Sequence, residues 1–217
     1  MRYRYLLADN DNTLMDFFAA EAAALRDTLR EFDLPTDDAT VRLYSGINDA
    51  LWKALERGET TQGELKVERF RQLLEALQEA RDAVAVAAAY AGHLSEHADL
   101  MPGCMEFLQT VHRHMKIALV SNGVSAIQRG RLSRCPFTPL LDAIIISEEI
   151  GVSKPDPRMV EAALQALGCT DKKEAVLLGD SLTADIAAAK NAGIDAIWLN
   201  PKGDAATLAE VLPLLGL

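Results

Sequence analysis

The densest grouping of chemically capable side chains lies near the start of the chain. There an apolar run, Leu6-Leu7-Ala8, empties into Asp9-Asn10-Asp11-Asn12-Thr13. Two carboxylates one residue apart repel each other and stay ionised together only beside a cation or strong donors. Asp and Asn are also ordinary turn residues, so this segment alone fits an acidic turn equally well. Three further polar clusters follow, each just after an apolar run: Ser121-Asn122-Gly123, Lys154-Pro155, and Gly179-Asp180-Ser181 with Asp185 beyond. Each is ordinary by itself as a loop, a cap or a turn. Their recurrence at one kind of position is not.

Gathered on one rim, Asp9, Asp11 and Asp180 form a hard-oxygen site of the kind that suits Mg2+, held by a few carboxylates together with waters and a substrate phosphate. Lys154 and one cation would offset the acids and create a locally positive field. The Ser121 hydroxyl and the backbone amides of Asn122 and Gly123, at a helix N-terminus, can hold phosphoryl oxygens. Asp9 is then placed for in-line attack on phosphorus, giving an aspartyl-phosphate. Asp11, across the turn, can protonate the leaving oxygen and later activate water.

The elements that must position these groups can be read from periodicity. A short apolar and aromatic run predicts a strand over 3–8. From about residue 16 to 97 the pattern is helical: Leu25, Leu29 and Phe32, then Leu51 and Leu55, then Leu73, Leu74 and Leu77, then an alanine-rich stretch over 83–91. Pro35, Gly58 and Gly63 punctuate this block into about four helices. After Met101-Pro102-Gly103 helices and strands alternate. Helices are predicted over 104–113, 124–132, 157–167 (capped by Asp156), 182–191 (ended by Gly193) and 206–215. Strands are predicted over 116–120, 143–146, 175–178 and 196–199. Helices alternating with continuous apolar strands predict an α/β fold, a parallel sheet covered on both faces. The simplest topology returns the first strand to that sheet. The expected organisation is a Rossmann-like core formed by 1–15 and 98–217, with an all-helical cap, 16–97, inserted after the first strand. Ligands bind such sheets at the carboxyl ends of the strands, where all four polar clusters fall.

Composition narrows the partners. The 217 residues are 49% hydrophobic, enough for a sizeable core, and carry a net charge of −10. That balance argues against a nucleic acid polymer, which needs a basic face. No stretch approaches the ~18–20 apolar residues of a membrane span. Cys104, Cys135 and Cys169 show neither metal spacing nor a disulfide framework, and the N-terminus lacks a signal-peptide pattern, so a cytoplasmic location is expected.

In order and spacing, the four clusters resemble the motifs of the haloacid dehalogenase superfamily, and the helical block lies where that superfamily places its cap. The resemblance implies Asp9 as nucleophile and Asp11 as general acid/base. It implies a magnesium site formed by the side chains of Asp9 and Asp180 and the Asp11 carbonyl, with Asp185 supporting it from behind. Ser121 and Lys154 would hold the transferring phosphoryl group. An acid at position 11 is similar to the phosphatase branch, since dehalogenase members lack it. Leu51-Trp52-Lys53-Ala54-Leu55-Glu56-Arg57-Gly58, Thr60-Thr61, Glu68-Arg69-Phe70 and the stretch from Ile146 to Pro155 resemble the bacterial house-cleaning pyrimidine 5′-nucleotidases. Ala8 and Asn10 depart from the residues usual there. The resemblance implies a phosphatase acting on a small phosphorylated metabolite, a nucleoside monophosphate first, as a monomer or small homo-oligomer. A sugar-phosphate or phosphoglycolate phosphatase is the near alternative and a phosphomutase the more distant one. A signalling receiver would be about half this length and would lack the helical insert.

Outside the motifs, Trp52 is equally readable as a base-stacking residue or as part of the cap core. Arg57 and Arg69 could reach a base or a phosphate, but surface pairing with Glu56 or Glu68 is the expectation for either one. Of Phe17 and Phe18, one is expected in the core and either could line a pocket between cap and sheet. Glu148-Glu149 reads as a solvated turn, Asp33, Asp37 and Asp38 as surface, and the four histidines as structural or exposed. Hinges between cap and core are expected around Asp16 and His97.

Overall fold

The computed structural model describes residues 2–217. Five strands, β1 (Tyr5–Ala8), β2 (Lys116–Ser121), β3 (Ala143–Ile146), β4 (Ala175–Gly179) and β5 (Asp195–Trp198), form one parallel sheet in the order β3-β2-β1-β4-β5. The first strand therefore sits at the centre, paired with β2 on one side and β4 on the other. Period-two alternation sorts the strand side chains onto two faces. Leu6, Ala8, Ile117, Leu119, Val176 and Leu178 enter one core, while Leu7, Ala118, Val120 and Leu177 enter the other. Helices α5 (Cys104–His112) and α10 (Leu208–Leu215) cover the first face; α8 (Pro157–Leu167) and α9 (Ala187–Ala192) cover the second.

Between β1 and α5 lie four helices: α1 (Phe17–Glu31), α2 (Asp38–Glu56), α3 (Gln62–Leu77) and α4 (Ala83–Glu96). Local signals set their starts. Asp16, Asp37, Thr61 and Asp82 each accept a backbone amide of the first turn, and Thr61 with Glu64 completes a reciprocal capping box. Their apolar faces converge on a separate core in which Tyr44, Phe70 and Tyr90 stack within 5.5 Å of one another. Val124 and Ile127, at the start of α6 (Ser125–Arg134), join that core from the sheet side. At the α4–α6 crossing Gly130 is obligatory, because a Cβ there would meet the Ser95 side chain at 2.7 Å.

Two predicted elements differ in form. The first strand begins at Tyr5 rather than residue 3, because Tyr3 leaves the ladder to place its hydroxyl 2.7 Å from Asp195. The helix expected over 182–191 opens as a π-helical turn, Leu182–Ile186, before α9. Its amides at Asp185 and Ile186 both return to the Ser181 carbonyl, and the widened turn carries the Asp185 side chain inward. The remaining boundaries shift by one or two residues.

Candidate active site

Four loops leaving the carboxyl ends of β1, β2, β3 and β4 supply one cavity, lined among others by Asp9, Asp11, Ser121, Lys154, Asp180 and Asp185. Short α7 (Ser147–Ile150) turns the chain after β3, so that Lys154 comes back under the sheet edge. Its ammonium is buried and donates to Asp9 Oδ1 at 2.6 Å and to the Val120 carbonyl at 2.7 Å. Asp185 Oδ1 lies 2.7 Å from the same nitrogen but without an aligned hydrogen bond. Burial alone would pull the Lys154 ammonium down; the Asp185 and Asp9 carboxylates reverse this and hold it above its ordinary value.

The acids feel the opposite stress. Burial raises the Asp9 carboxyl well above its usual range, against the pull of Lys154, and Asp185, Asp180 and Asp11 add repulsion. Burial, then the Asp185 charge, pushes Asp180 up to about 7. Carboxylate oxygens of Asp9, Asp180 and Asp185 lie within 4.8 Å of one another. One ammonium cannot balance three acids, and Asp185 keeps a buried oxygen without a hydrogen-bond donor. The donors are all hard oxygens, so the cluster fits a divalent cation such as Mg2+. Gly179 makes the approach possible: a Cβ there would meet the Asp185 carboxylate at 2.3 Å.

The Ser121 loop is braced rather than open. Asn122 accepts from the Lys154 amide at 2.7 Å and donates to the Lys154 carbonyl at 2.9 Å, locking the second and third loops together. The Gly123 amide, expected to be free for a phosphoryl oxygen, donates instead to Ser121 Oγ at 3.0 Å. From the cap, Gln62 Nε2 donates to the carbonyls of Asn122 and Gly123 at 3.1 and 3.2 Å, and Lys66 pairs with Glu148. Both contacts hold the helical insert against the sheet edge.

Two residues here have no counterpart in the sequence reading. Gln128 and Arg131 on α6 are buried beside the first loop. Gln128 accepts from Asn10 at 2.6 Å and donates to Asp11 Oδ2 at 2.6 Å. Arg131 pairs with Asp11 Oδ1 and donates to the His97 carbonyl at 2.8 Å. The unusual Asn10 therefore has a partner in Gln128. The available signal was spacing: positions 124, 128 and 131 share one helical face that begins at the Ser121 loop, and that face carries polar residues among apolar ones.

Several surface expectations are corrected. Arg69 is 3% exposed and makes no pair with Glu56 or Glu68; it bonds Asn48, and Glu68 takes Arg71 instead. Arg57 is at the surface but pairs with Glu59, the nearer acid past the Gly58 turn. Glu148 and Glu149 are not a free solvated turn: both bond Ser125, and they pair with Lys66 and Arg129. Phe17 lines the cavity and packs on the cap core, whereas Phe18 is exposed. Trp52 also lines the cavity. Among the described residues no helix is long and apolar enough to cross a membrane.

A parallel sheet with acids at adjacent strand ends, a buried lysine between them and a helical insert after the first strand defines a class of hydrolase. The sequence matches the family model of haloacid dehalogenase-like hydrolases over residues 6–199, and the chain belongs to that family. It is 36% identical over 202 residues to the pyrimidine 5′-nucleotidase PynA of Streptococcus pneumoniae, covering 93% of this chain and 85% of that protein. It is 28% identical over 200 residues to the pyrimidine 5′-nucleotidase YjjG of Escherichia coli, covering 92% and 87%. Among solved structures, the putative hydrolase YfnB from Bacillus subtilis, bound to magnesium, superposes with a TM-score of 0.94 at 31% identity over the whole of both chains.

Proposed function

We propose that this enzyme is a magnesium-dependent phosphomonoesterase that hydrolyses nucleoside 5′-monophosphates, pyrimidine ones in preference. The observation that carries the chemistry is the convergence of Asp9, Asp11, Lys154 and Asp180 on one cavity. The two named nucleotidases that resemble the chain over nearly its whole length support the substrate class.

In this reading Lys154 fixes Asp9 Oδ1, and among the described residues no protein donor bonds the other oxygen. That oxygen attacks phosphorus in line, forming the aspartyl-phosphate as the bond to the nucleoside oxygen breaks. Asp11 gives its proton to the departing oxygen. It then takes a proton from water, whose oxygen attacks phosphorus and releases phosphate from Asp9. Ser121 and Lys154 hold the phosphoryl group throughout, and the cap excludes bulk water. A magnesium ion held by Asp9, Asp180 and the Asp11 carbonyl, with Asp185 behind, would supply the positive charge that a phosphate needs in an acidic protein.

Phosphate release from a panel of nucleotides, sugar phosphates and phosphoglycolate tests the substrate, and Asp9→Asn tests the mechanism. Nucleotides should lead the panel, and the variant should be inactive. A flat profile or a preference for sugar phosphates removes the nucleotidase reading; substantial turnover by pure Asp9→Asn protein removes the covalent route.

A further inference from the structure

Arg69 is the one basic side chain that the cap helices contribute to the cavity lining among the described residues. It is buried, yet no carboxylate lies within ion-pairing distance of it in the described structure. Nη1 donates to the amide oxygen of Asn48 at 3.0 Å, and Nε makes a long bond, 3.4 Å, to the Lys66 carbonyl. Among the described residues Nη2 has no hydrogen-bond partner, and Arg69 lines the cavity. A buried guanidinium with only neutral partners is costly, and a free donor on it adds to the cost. A ligand that brings an acceptor would relieve both.

The group is also held still. Its carbon sits 4.8 Å above the Tyr90 ring and 5.5 Å from that of Phe70. Asn48 is pinned in turn, donating to Glu21 Oε1 at 2.7 Å while Ser45 occupies Glu21 Oε2 at 2.7 Å. Glu21 thus supplies countercharge through Asn48 without consuming the free nitrogen. The cavity walls that cap and α6 contribute around it are mainly aromatic or aliphatic, Phe17, Trp52, Leu94 and Ile127, with Glu56 and Gln128 the polar members.

A largely apolar enclosure to which the cap adds one fixed basic donor suits a planar ring that presents a carbonyl oxygen. We propose that Arg69 is a specificity-determining residue that donates from Nη2 to a ring carbonyl of the pyrimidine base in the leaving nucleoside. This rests on the nucleotidase reading and adds the group that reads the base. Every common pyrimidine carries a carbonyl beside its glycosidic nitrogen, and adenine carries none.

The test compares uridine 5′-monophosphate with p-nitrophenyl phosphate, whose ring has no carbonyl, in wild type, Arg69→Met and Arg69→Lys. Arg69→Met should lower the ratio of the two kcat/KM values by at least roughly tenfold, mainly through KM for the nucleotide. Arg69→Lys, which keeps charge, should restore part of the ratio and serves if the Met variant does not fold. A ratio unmoved in both variants, or an equal fall on both substrates, overturns the assignment and leaves the nucleotidase reading intact. A wild-type enzyme that cleaves p-nitrophenyl phosphate and no nucleotide removes the nucleotidase reading and the assignment together.

Discussion

Arg131, fully buried on α6, is ion-paired to Asp11 at the mouth of β1. The other Asp11 oxygen is taken by Gln128, so both are held from one helix. Arg131 also reaches the His97 carbonyl, where the chain returns from the helical insert. The proposed acid/base is therefore oriented by a side chain that also ties down the exit of the cap.

Arg131→Met should lower kcat by about 10²-fold, the cost of a misplaced catalytic group. Arg131→Lys should recover part of it. Steady-state phosphate release on variants whose melting curves remain cooperative measures this. Full kcat in Arg131→Met would mean that Asp11 is held without the guanidinium.

The acid cluster predicts a pH-dependent exchange between protons and metal. The Asp180 carboxyl is lifted from 3.8 to about 7, by burial first and by the Asp185 charge second. Between those values the folded chain holds a proton that the unfolded chain has released. Stability without metal should accordingly fall as pH rises from about 4 to about 7. A magnesium ion held at Asp180 would take the place of that proton, so its affinity should climb over the same window. Thermal melts across the window, with and without magnesium, read both trends. A metal-free melting temperature that rises through it would contradict the account.

Gly179→Ala should displace Asp185, whose carboxylate a Cβ would strike and which the Ser181 amide and Lys154 hold in place. A loss of about 1–3 kcal/mol, as for other overpacked interiors, is expected. Magnesium affinity should weaken with it. Urea unfolding gives the first quantity and titration calorimetry the second. Wild-type affinity in this variant would place Asp185 outside the metal's reach.

The strand-and-loop order was legible because three of the clusters sit where a buried apolar run stops and the fourth, Lys154-Pro155, follows one past a loop, a local signal. Asp156 before α8 was equally local, since caps are written in neighbouring residues. What escaped was decided by packing between distant segments. Arg69 reads as a surface arginine beside Glu68, and only the stacking of α2, α3 and α4 buries it among Asn48, Phe70 and Tyr90. Gln128 and Arg131 acquire meaning only when α6 is laid beside the β1 loop. The π-turn at Leu182–Ile186 reflects the pull on Asp185 from Ser181 and Lys154, which no helical periodicity encodes.

The central place of β1 has a consequence for how the chain is made. Its two neighbours, β2 and β4, begin at Lys116 and Ala175, so the middle strand is synthesised first and both partners follow only after the whole helical insert. At typical ribosome speeds the first of those partners emerges on the order of ten seconds later. Throughout that wait Leu6 and Leu7 have no sheet to enter, while α1 to α4 already have one another. The nascent protein would therefore order its roof before its floor, with an unpaired sticky strand that a chaperone can recognise.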